Sequence, residues 1–224
     1  MLKHIPNFLT CCNLVCGCIG ILFLMEGSTI PTAYFVWAAC IFDFFDGFAA
    51  RWLKISSPIG KELDSLADMV SFGVLPSLFM YSLLTFESPF PYLPYVALLM
   101  AVCSALRLAI FNLDETQSDS FKGLPTPANA LFITAIPFLD APVFDFVHSP
   151  VVLAAITVIF SLFLVSRFDL FALKFKNFTW SENQIRFTFL ALAVLLLAVL
   201  QLTALPLIIL LYIALSLGVR VFSK

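Results

Sequence analysis

The strongest constraint on the fold is a series of apolar runs separated by short polar connections. Eight such runs cover approximately residues 8–25, 30–52, 64–86, 92–112, 127–140, 150–172, 185–202 and 204–221. A helix needs about 20 apolar residues to cross the ~30 Å hydrocarbon core of a bilayer. Each run therefore predicts a membrane-spanning helix, although the fifth is short and leaves a seven-span arrangement open.

The composition favours the same fold class. Apolar residues make up 62% of the chain and charged residues 12%, whereas soluble domains are about half apolar and about a quarter charged. No basic stripe typical of nucleic-acid binding is present, and the cysteines lie in apolar runs, where thiols usually act as small core residues. We therefore predict an all-α, polytopic transmembrane bundle that forms a single domain over residues 1–224, without a nucleic-acid partner.

The distribution of positive charge predicts the orientation. If the N-terminus is cytoplasmic and eight helices alternate in direction, all 12 Lys and Arg residues fall on the cytoplasmic side. Basic residues near helix ends favour that side of a membrane. A seven-span arrangement would place Arg220 and Lys224 outside, so the charges favour eight spans. We expect both termini and the active site on the cytoplasmic side of a bacterial-type inner membrane.

Four aspartates lie where the second run ends and the third begins. Asp43 and Asp46 are three residues apart, and Asp64 and Asp68 are four apart, so each pair occupies one helix face. The short connection between the runs makes the two helices antiparallel neighbours, which brings the four acids together at the cytoplasmic rim. A single acid near a helix end is usually only solvated, but ionisable residues in membrane segments are functional by default.

This cluster of acids predicts a metal site. Carboxylate oxygens suit Mg²⁺ or Mn²⁺, and two such ions can clamp the attacking and leaving oxygens of a phosphoryl displacement. The small residues Gly47, Ala50 and Gly60 leave room for a nucleotide, although close helix packing explains the two glycines equally well. Arg51 returns to the same helix face and can hold a phosphate through two hydrogen bonds.

Residues 43–68 resemble the signature of the CDP-alcohol phosphotransferase family. The pattern is Asp, two residues, Asp-Gly, two residues, Ala-Arg, eight residues, Gly, three residues, Asp, three residues, Asp, and every fixed position matches. The resemblance implies a six-helix membrane core, about residues 5–175 here, followed by two additional spans at 185–221. It implies a site for two metal ions formed by Asp43, Asp46, Asp64 and Asp68. It also implies that Asp68 is the general base, and that the cytidine nucleotide of the donor binds at Asp46, Gly47, Ala50, Arg51 and Gly60.

Segments outside the signature are similar to the membrane-embedded bacterial phosphatidylserine synthases of this family. These segments are residues 5–10 with Asn13, 72–76, 106–112 and 121–128. Ile110 departs from the pattern, because related sequences often carry Arg there. The similarity implies transfer of the phosphatidyl group from CDP-diacylglycerol to L-serine, which gives phosphatidylserine and CMP.

Three polar residues are candidates for binding the acceptor carboxylate or a lipid phosphate, namely Arg107, Asn112 and Lys122. Lys122 fits a role in membrane anchoring equally well. Thr10 and Asn13 share a face of the first helix and fit capping or bridging between helices. No Ser, Cys or His is placed as an activated nucleophile, so we expect direct transfer to the acceptor.

Two alternatives have sequence support. The same signature fits a different acceptor alcohol, such as glycerol phosphate, inositol phosphate or choline. A cation transporter would also use clustered acids, but transport sites usually lie near the bilayer midplane, whereas these acids lie at one membrane face. The sequence is compatible with a homodimer and does not decide the oligomeric state.

Overall fold

The computed structural model describes residues 4–55, 57–114, 120–171 and 179–222. Lys3, Lys174, Lys176 and Lys224, four of the basic residues that favour a cytoplasmic N-terminus, lie outside the described residues. The α-helices within the described ranges are α1 Ile5–Met25, α2 Thr29–Trp52, α3 Pro58–Asp68, α4 Leu75–Glu87, α5 Leu98–Leu113, α6 Thr126–Ala135, α7 Pro150–Val165, α8 Trp180–Leu200 and α9 Ala204–Phe222.

Other short elements connect these helices. A π-helical segment, Met69–Val74, joins α3 to α4 without a break. The 3₁₀ segments are Leu93–Ala97 before α5, Ile136–Phe138 after α6, Pro142–His148 before α7 and Gln201–Thr203 between α8 and α9. Two three-residue strands, β1 Ser120–Lys122 and β2 Asp169–Phe171, pair antiparallel, with Phe121 opposite Leu170.

The structure confirms the predicted all-α membrane fold, to which the described residues add only the short strand pair β1 and β2. Five helical segments are long and apolar enough to cross a membrane, and a sixth is reached if Pro142–His148 and Pro150–Val165, which are bent by 72°, count as one span. One of the five, Asn183–Gly218, contains both α8 and α9. The Phe189 ring on α8 and the Tyr212 ring on α9 lie 5.8 Å apart, which shows that these two helices fold back on each other. The eight-span arrangement and the division into a core and two additional spans stay predictions.

The bounds of the α-helices lie within about six residues of the ends of the apolar runs, and the largest difference is at the end of the sixth run. The sixth run predicts a helix to residue 172, but α7 ends at Val165. The Ser166 hydroxyl donates to the carbonyl oxygen of Phe163, and the chain then enters β2, which pairs with β1. Apolar residues after Val165 therefore form part of a strand pair instead of another helical turn.

The continuous helical segment 58–87 lies at the centre of the fold. It contacts α1, α2, α5, α6 and α7, and Leu75, Phe79, Met80 and Leu84 on its second half are fully buried. Its first half, α3, packs against α1 near the end of α2. The polar residues of α3 consequently lie beside those of α1 and α2, on a helical segment whose second half is buried in the core.

Candidate active site

Three of the predicted acids converge between α2 and α3. One carboxylate oxygen from each of Asp43, Asp64 and Asp68 lies within 4.8 Å of the other two. Asp68 is buried, and Asp43 and Asp64 are partly buried. Within the described part of the chain, Asp64 Oδ1 is buried without a hydrogen-bond partner. Buried carboxylates that face one another in this way fit a divalent cation, whose preferred ligands are oxygens.

Asp46 has a different environment from the other three acids. Its Oδ2 atom accepts a hydrogen bond from the Thr10 hydroxyl over 2.7 Å. Asp46 and Asp64 line an open cavity of about 240 Å³ between the start of α1, the end of α2 and the start of α3. The other lining residues are Pro6, Asn7, Thr10, Gly47, Ala50, Ile55, Ser57, Gly60 and Lys61.

The small residues of the signature all line this cavity, but the two glycines have different surroundings. A Cβ atom at Gly60 would lie 2.9 Å from Ser57 Oγ and 3.1 Å from Asn7 Oδ1, so a side chain there would push against the cavity wall. A Cβ atom at Gly47 would meet only the Arg51 guanidinium, at 3.4 Å from Nη1. Gly60 therefore permits a close approach of α3 to α1, whereas the absence of a side chain at Gly47 leaves room for the Arg51 guanidinium.

The first helix supplies polar partners to two of the acids, so Thr10 and Asn13 bridge between helices. Asn13 Nδ2 donates a hydrogen bond to Asp68 Oδ1 over 3.0 Å, as Thr10 does to Asp46. Asn7, Ser57 and Lys61 line the cavity and are not among the predicted site residues. The sequence indicates a polar face on this helix, because polar residues at positions 7, 10 and 13 recur every three residues in an otherwise apolar segment.

The acceptor candidates lie in three different environments. Arg107 on α5 is only 5% exposed, its Nε atom has no hydrogen-bond partner among the described residues, and its guanidinium carbon lies 5.2 Å from the centroid of the Phe111 ring. The ion pairs of the described side chains do not include Arg107. A buried cation without a counter-charge is costly, so this position favours an anionic ligand.

Asn112 and Lys122 both have protein partners. Asn112 Nδ2 donates to Ser65 Oγ over 2.9 Å, and the Asn112 carbonyl accepts from Lys61 Nζ over 2.6 Å. These bonds attach the end of α5 to α3. Lys122 is exposed and lies 3.1 Å from Asp114 Oδ2. Asn112 thus has a structural role, and an anion at Lys122 would compete with Asp114.

The family assignment rests on a match over nearly the whole chain. The sequence model of the CDP-alcohol phosphatidyltransferase family matches residues 3–220. The chain belongs to the CDP-alcohol phosphatidyltransferase family. This membership confirms the enzyme class predicted from the signature, and the general metal dependence of the family agrees with the cluster of Asp43, Asp64 and Asp68.

Several members of the family with a curated name are similar to this chain. A Bacillus subtilis protein named CDP-diacylglycerol–serine O-phosphatidyltransferase is 33% identical over 177 residues, which cover 79% of this chain and 92% of the relative. A Mycobacterium bovis protein of the same name is 39% identical over 137 residues, and one from Methanocaldococcus jannaschii is 36% identical over 129 residues. The matched segment covers 47% of the mycobacterial relative and 58% of the archaeal one.

Proposed function

We propose that this protein transfers the phosphatidyl group from CDP-diacylglycerol to L-serine, with release of CMP. The observation that carries the proposal is the convergence of Asp43, Asp64 and Asp68 beside an open polar cavity, in a chain whose similar relatives are named for this reaction. The family membership leaves a cation transporter without support. We further propose that both termini and the site face the cytoplasm.

The residues that line the cavity, and Arg51, whose guanidinium lies beside Gly47, have separate roles in this proposal. Asp46, Gly47, Ala50, Arg51 and Gly60 surround the cytidine and its phosphates. Gly47 lines the cavity, and its lack of a side chain lets the nucleotide approach the helix backbone. The Arg51 guanidinium can hold a phosphate oxygen through charge-assisted hydrogen bonds. Lys61, which lines the same cavity, adds a second positive charge at its rim.

The four acids would hold Mg²⁺ or Mn²⁺, and we propose two ions. When bound, such ions neutralise the acids and stabilise the negative charge that develops on the diphosphate during transfer. Asp68 then accepts the proton of the serine hydroxyl. The serine oxygen forms a bond to the phosphorus that carries diacylglycerol, and the bond between this phosphorus and the bridging oxygen breaks. CMP leaves with that oxygen and both electrons of the broken bond.

Arg107 is the proposed partner of the serine carboxylate. Its burial, and the lack of a counter-charge among the side chains that the structure describes, favour an anion of the substrate. Asn112 and Lys122 are weaker candidates, because their polar groups have protein partners. A lipid phosphate is the other anion that could meet these residues.

An acceptor panel tests the proposal directly. Purified protein is incubated with CDP-diacylglycerol and Mn²⁺ or Mg²⁺, and the release of CMP is measured with serine, glycerol 3-phosphate, inositol phosphate, choline and ethanolamine. We expect serine to be used at least about 10-fold better than ethanolamine, because a charge-assisted contact to the carboxylate contributes about 1.5–3 kcal/mol. Equal or faster release with another alcohol would assign a different acceptor to the same chemistry.

A further inference from the structure

The first helix contributes two buried hydrogen-bond donors to the four acids. Thr10 and Asn13 are 4% and 0% exposed and share a face of α1 because they are three residues apart. The Thr10 hydroxyl lies 2.7 Å from Asp46 Oδ2 and 3.1 Å from the carbonyl oxygen of Pro6. Its single proton favours the charged acceptor. Asn13 donates to Asp68, so the two side chains hold different acids.

Asn13 is fixed on its backbone as well as on its side chain. The Ser71 hydroxyl donates to the carbonyl oxygen of Asn13 over 3.0 Å. Ser71 belongs to the π-helical segment and follows Asp68 by three residues, so Asn13 is held at two points by the same helix. Gly17, one turn further along α1, makes this approach possible, because a Cβ atom there would lie 2.4 Å from Ser71 Oγ.

The chemistry of the Asn13 side chain fits an orienting role. Only its nitrogen can donate to a carboxylate, which turns Asn13 Oδ1 away from Asp68, and within the described chain this oxygen is buried without a partner. A buried oxygen without a hydrogen-bond partner, such as Asn13 Oδ1, lowers the stability of the fold. The orientation that lets Asn13 donate to Asp68 therefore lowers the stability of the folded protein. A neutral donor also orients the acid without competing with a divalent cation, whereas a Lys or Arg at this position would compete.

We propose that Asn13 is a positioning residue for Asp68. Its carboxamide fixes one oxygen of the Asp68 carboxylate and leaves the second oxygen for the acid cluster and for the proton of the acceptor hydroxyl. Ser71 supports this arrangement by fixing the backbone of Asn13. The role rests on the proposed phosphatidyl transfer, because Asp68 acts as a base in that reaction.

Kinetics of Asn13→Ala and Thr10→Ala form a matched comparison, since each removes one donor to an acid from the same face of α1. We expect Asn13→Ala to lower kcat by about 10- to 100-fold, which is typical for hydrogen-bond partners of ligating carboxylates. The KM for CDP-diacylglycerol should stay within about 3-fold of the wild type, because Asp68 acts on the acceptor hydroxyl in this proposal. A change of about 3-fold is smaller than the effect of about 10- to 100-fold that is typical of losing a hydrogen-bond partner of a ligating carboxylate. Thr10→Ala should instead raise the KM for the donor, because Asp46 lines the cavity.

Thermal stability gives a readout that does not depend on turnover. Asn13→Asp places two carboxylates against each other, so we expect a lower Tm without metal and a larger rise in Tm on adding Mg²⁺ than in the wild type. The double variant Asn13→Asp/Asp68→Asn restores the hydrogen bond in the opposite direction, because the amide at position 68 can donate to the carboxylate at position 13. Its Tm should recover while its activity stays absent, since the base is missing.

Several outcomes would overturn the proposal. A wild-type kcat in Asn13→Ala would do so, as would a rise in donor KM that accounts for the whole loss of kcat/KM. If the Asn13 variants do not fold, Ser71→Ala is measured instead. We expect a smaller loss of kcat in this variant and an unchanged KM for CDP-diacylglycerol. An unchanged kcat in Ser71→Ala would count against the positioning role of Asn13. A wild type that transfers phosphatidyl groups to no alcohol would refute the proposed function, even if the Tm of the double variant recovers.

Discussion

At the scale of single residues, the convergence of the acids and a bridging role for Thr10 and Asn13 were predictable, whereas the particular acids to which these two residues bind were not. The spacing of Asp43, Asp64 and Asp68 places them on facing helices, because helical periodicity and a short connection fix both directions. The partners Thr10 and Asn13 come from α1, which is distant in sequence from Asp68. Spacing along one helix identifies a polar face but not the helix that covers it.

The cluster of acids leads to a prediction for Asp43 and Asp64. Asp43→Asn or Asp64→Asn should abolish turnover while the protein still inserts and folds, because each change removes a charged ligand but keeps the shape of the side chain. Mn²⁺ binding to purified protein, measured by calorimetry, should weaken in parallel. Leu113→Ala, at an 85% exposed position outside the proposed site, serves as a control for handling in detergent. Near-normal turnover of either variant at saturating metal would argue against a shared metal site.

A second prediction concerns the buried Arg107 on α5. Arg107→Ala should raise the KM for serine by about 10- to 150-fold, the equivalent of a lost charge-assisted contact of about 1.5–3 kcal/mol. Arg107→Lys should recover only part of this loss, because an ammonium group cannot form the paired hydrogen bonds of a guanidinium. The measurement is the KM for each substrate separately. A rise for CDP-diacylglycerol without one for serine would assign Arg107 to a lipid phosphate.

At the scale of elements, helix positions were predictable and departures from helical geometry were not. Apolar runs located the helices because the bilayer requires long uninterrupted apolar segments. The pairing of β1 with β2 depends on contacts between segments far apart in the chain, and three-residue strands leave no periodic pattern. The π-helical segment also follows from packing, since Gly73 there lies against Met69 and Ser104.

The strand pair leads to a prediction for Gly123, which follows β1. Gly123 has a φ of +79°, and a Cβ atom there would lie 2.6 Å from the carbonyl oxygen of Leu164 and 2.8 Å from that of Ser166. Gly123→Ala should therefore lower the Tm strongly. Gly27→Ala is the matched control, because Gly27 has a φ of +77° and an added Cβ atom would have no neighbour within 4 Å. Gly27→Ala should therefore lower the free energy of unfolding only through backbone strain, by about 1 kcal/mol. Equal shifts in Tm for the two variants would show that the contact with α7 is unimportant.

At the scale of the whole molecule, the asymmetry of charge leads to a topological prediction. Single cysteines are introduced into a variant without the native cysteines and are labelled with an impermeant reagent. Positions 87 and 145 should react from the outer face, and position 122 only after the membrane is opened, because basic residues favour the cytoplasmic side. Labelling of position 122 from outside would refute both the eight-span arrangement and the cytoplasmic site.

The π-helical segment has a genetic consequence. A π turn carries more residues than an α turn, so loss of one codon among those for residues 69–74 would allow regular α geometry through this segment. Such a deletion would keep the reading frame and almost all of the apolar character. Because the wider turn already accommodates the additional residue, its loss would leave the direction of α4 relative to α3 nearly unchanged, and Leu75, Phe79 and Met80 would still face the core in which they are buried. We therefore expect in-frame single-codon deletions here to be tolerated better than deletions within α3 or α4, where the loss of one residue rotates everything after it by about 100°.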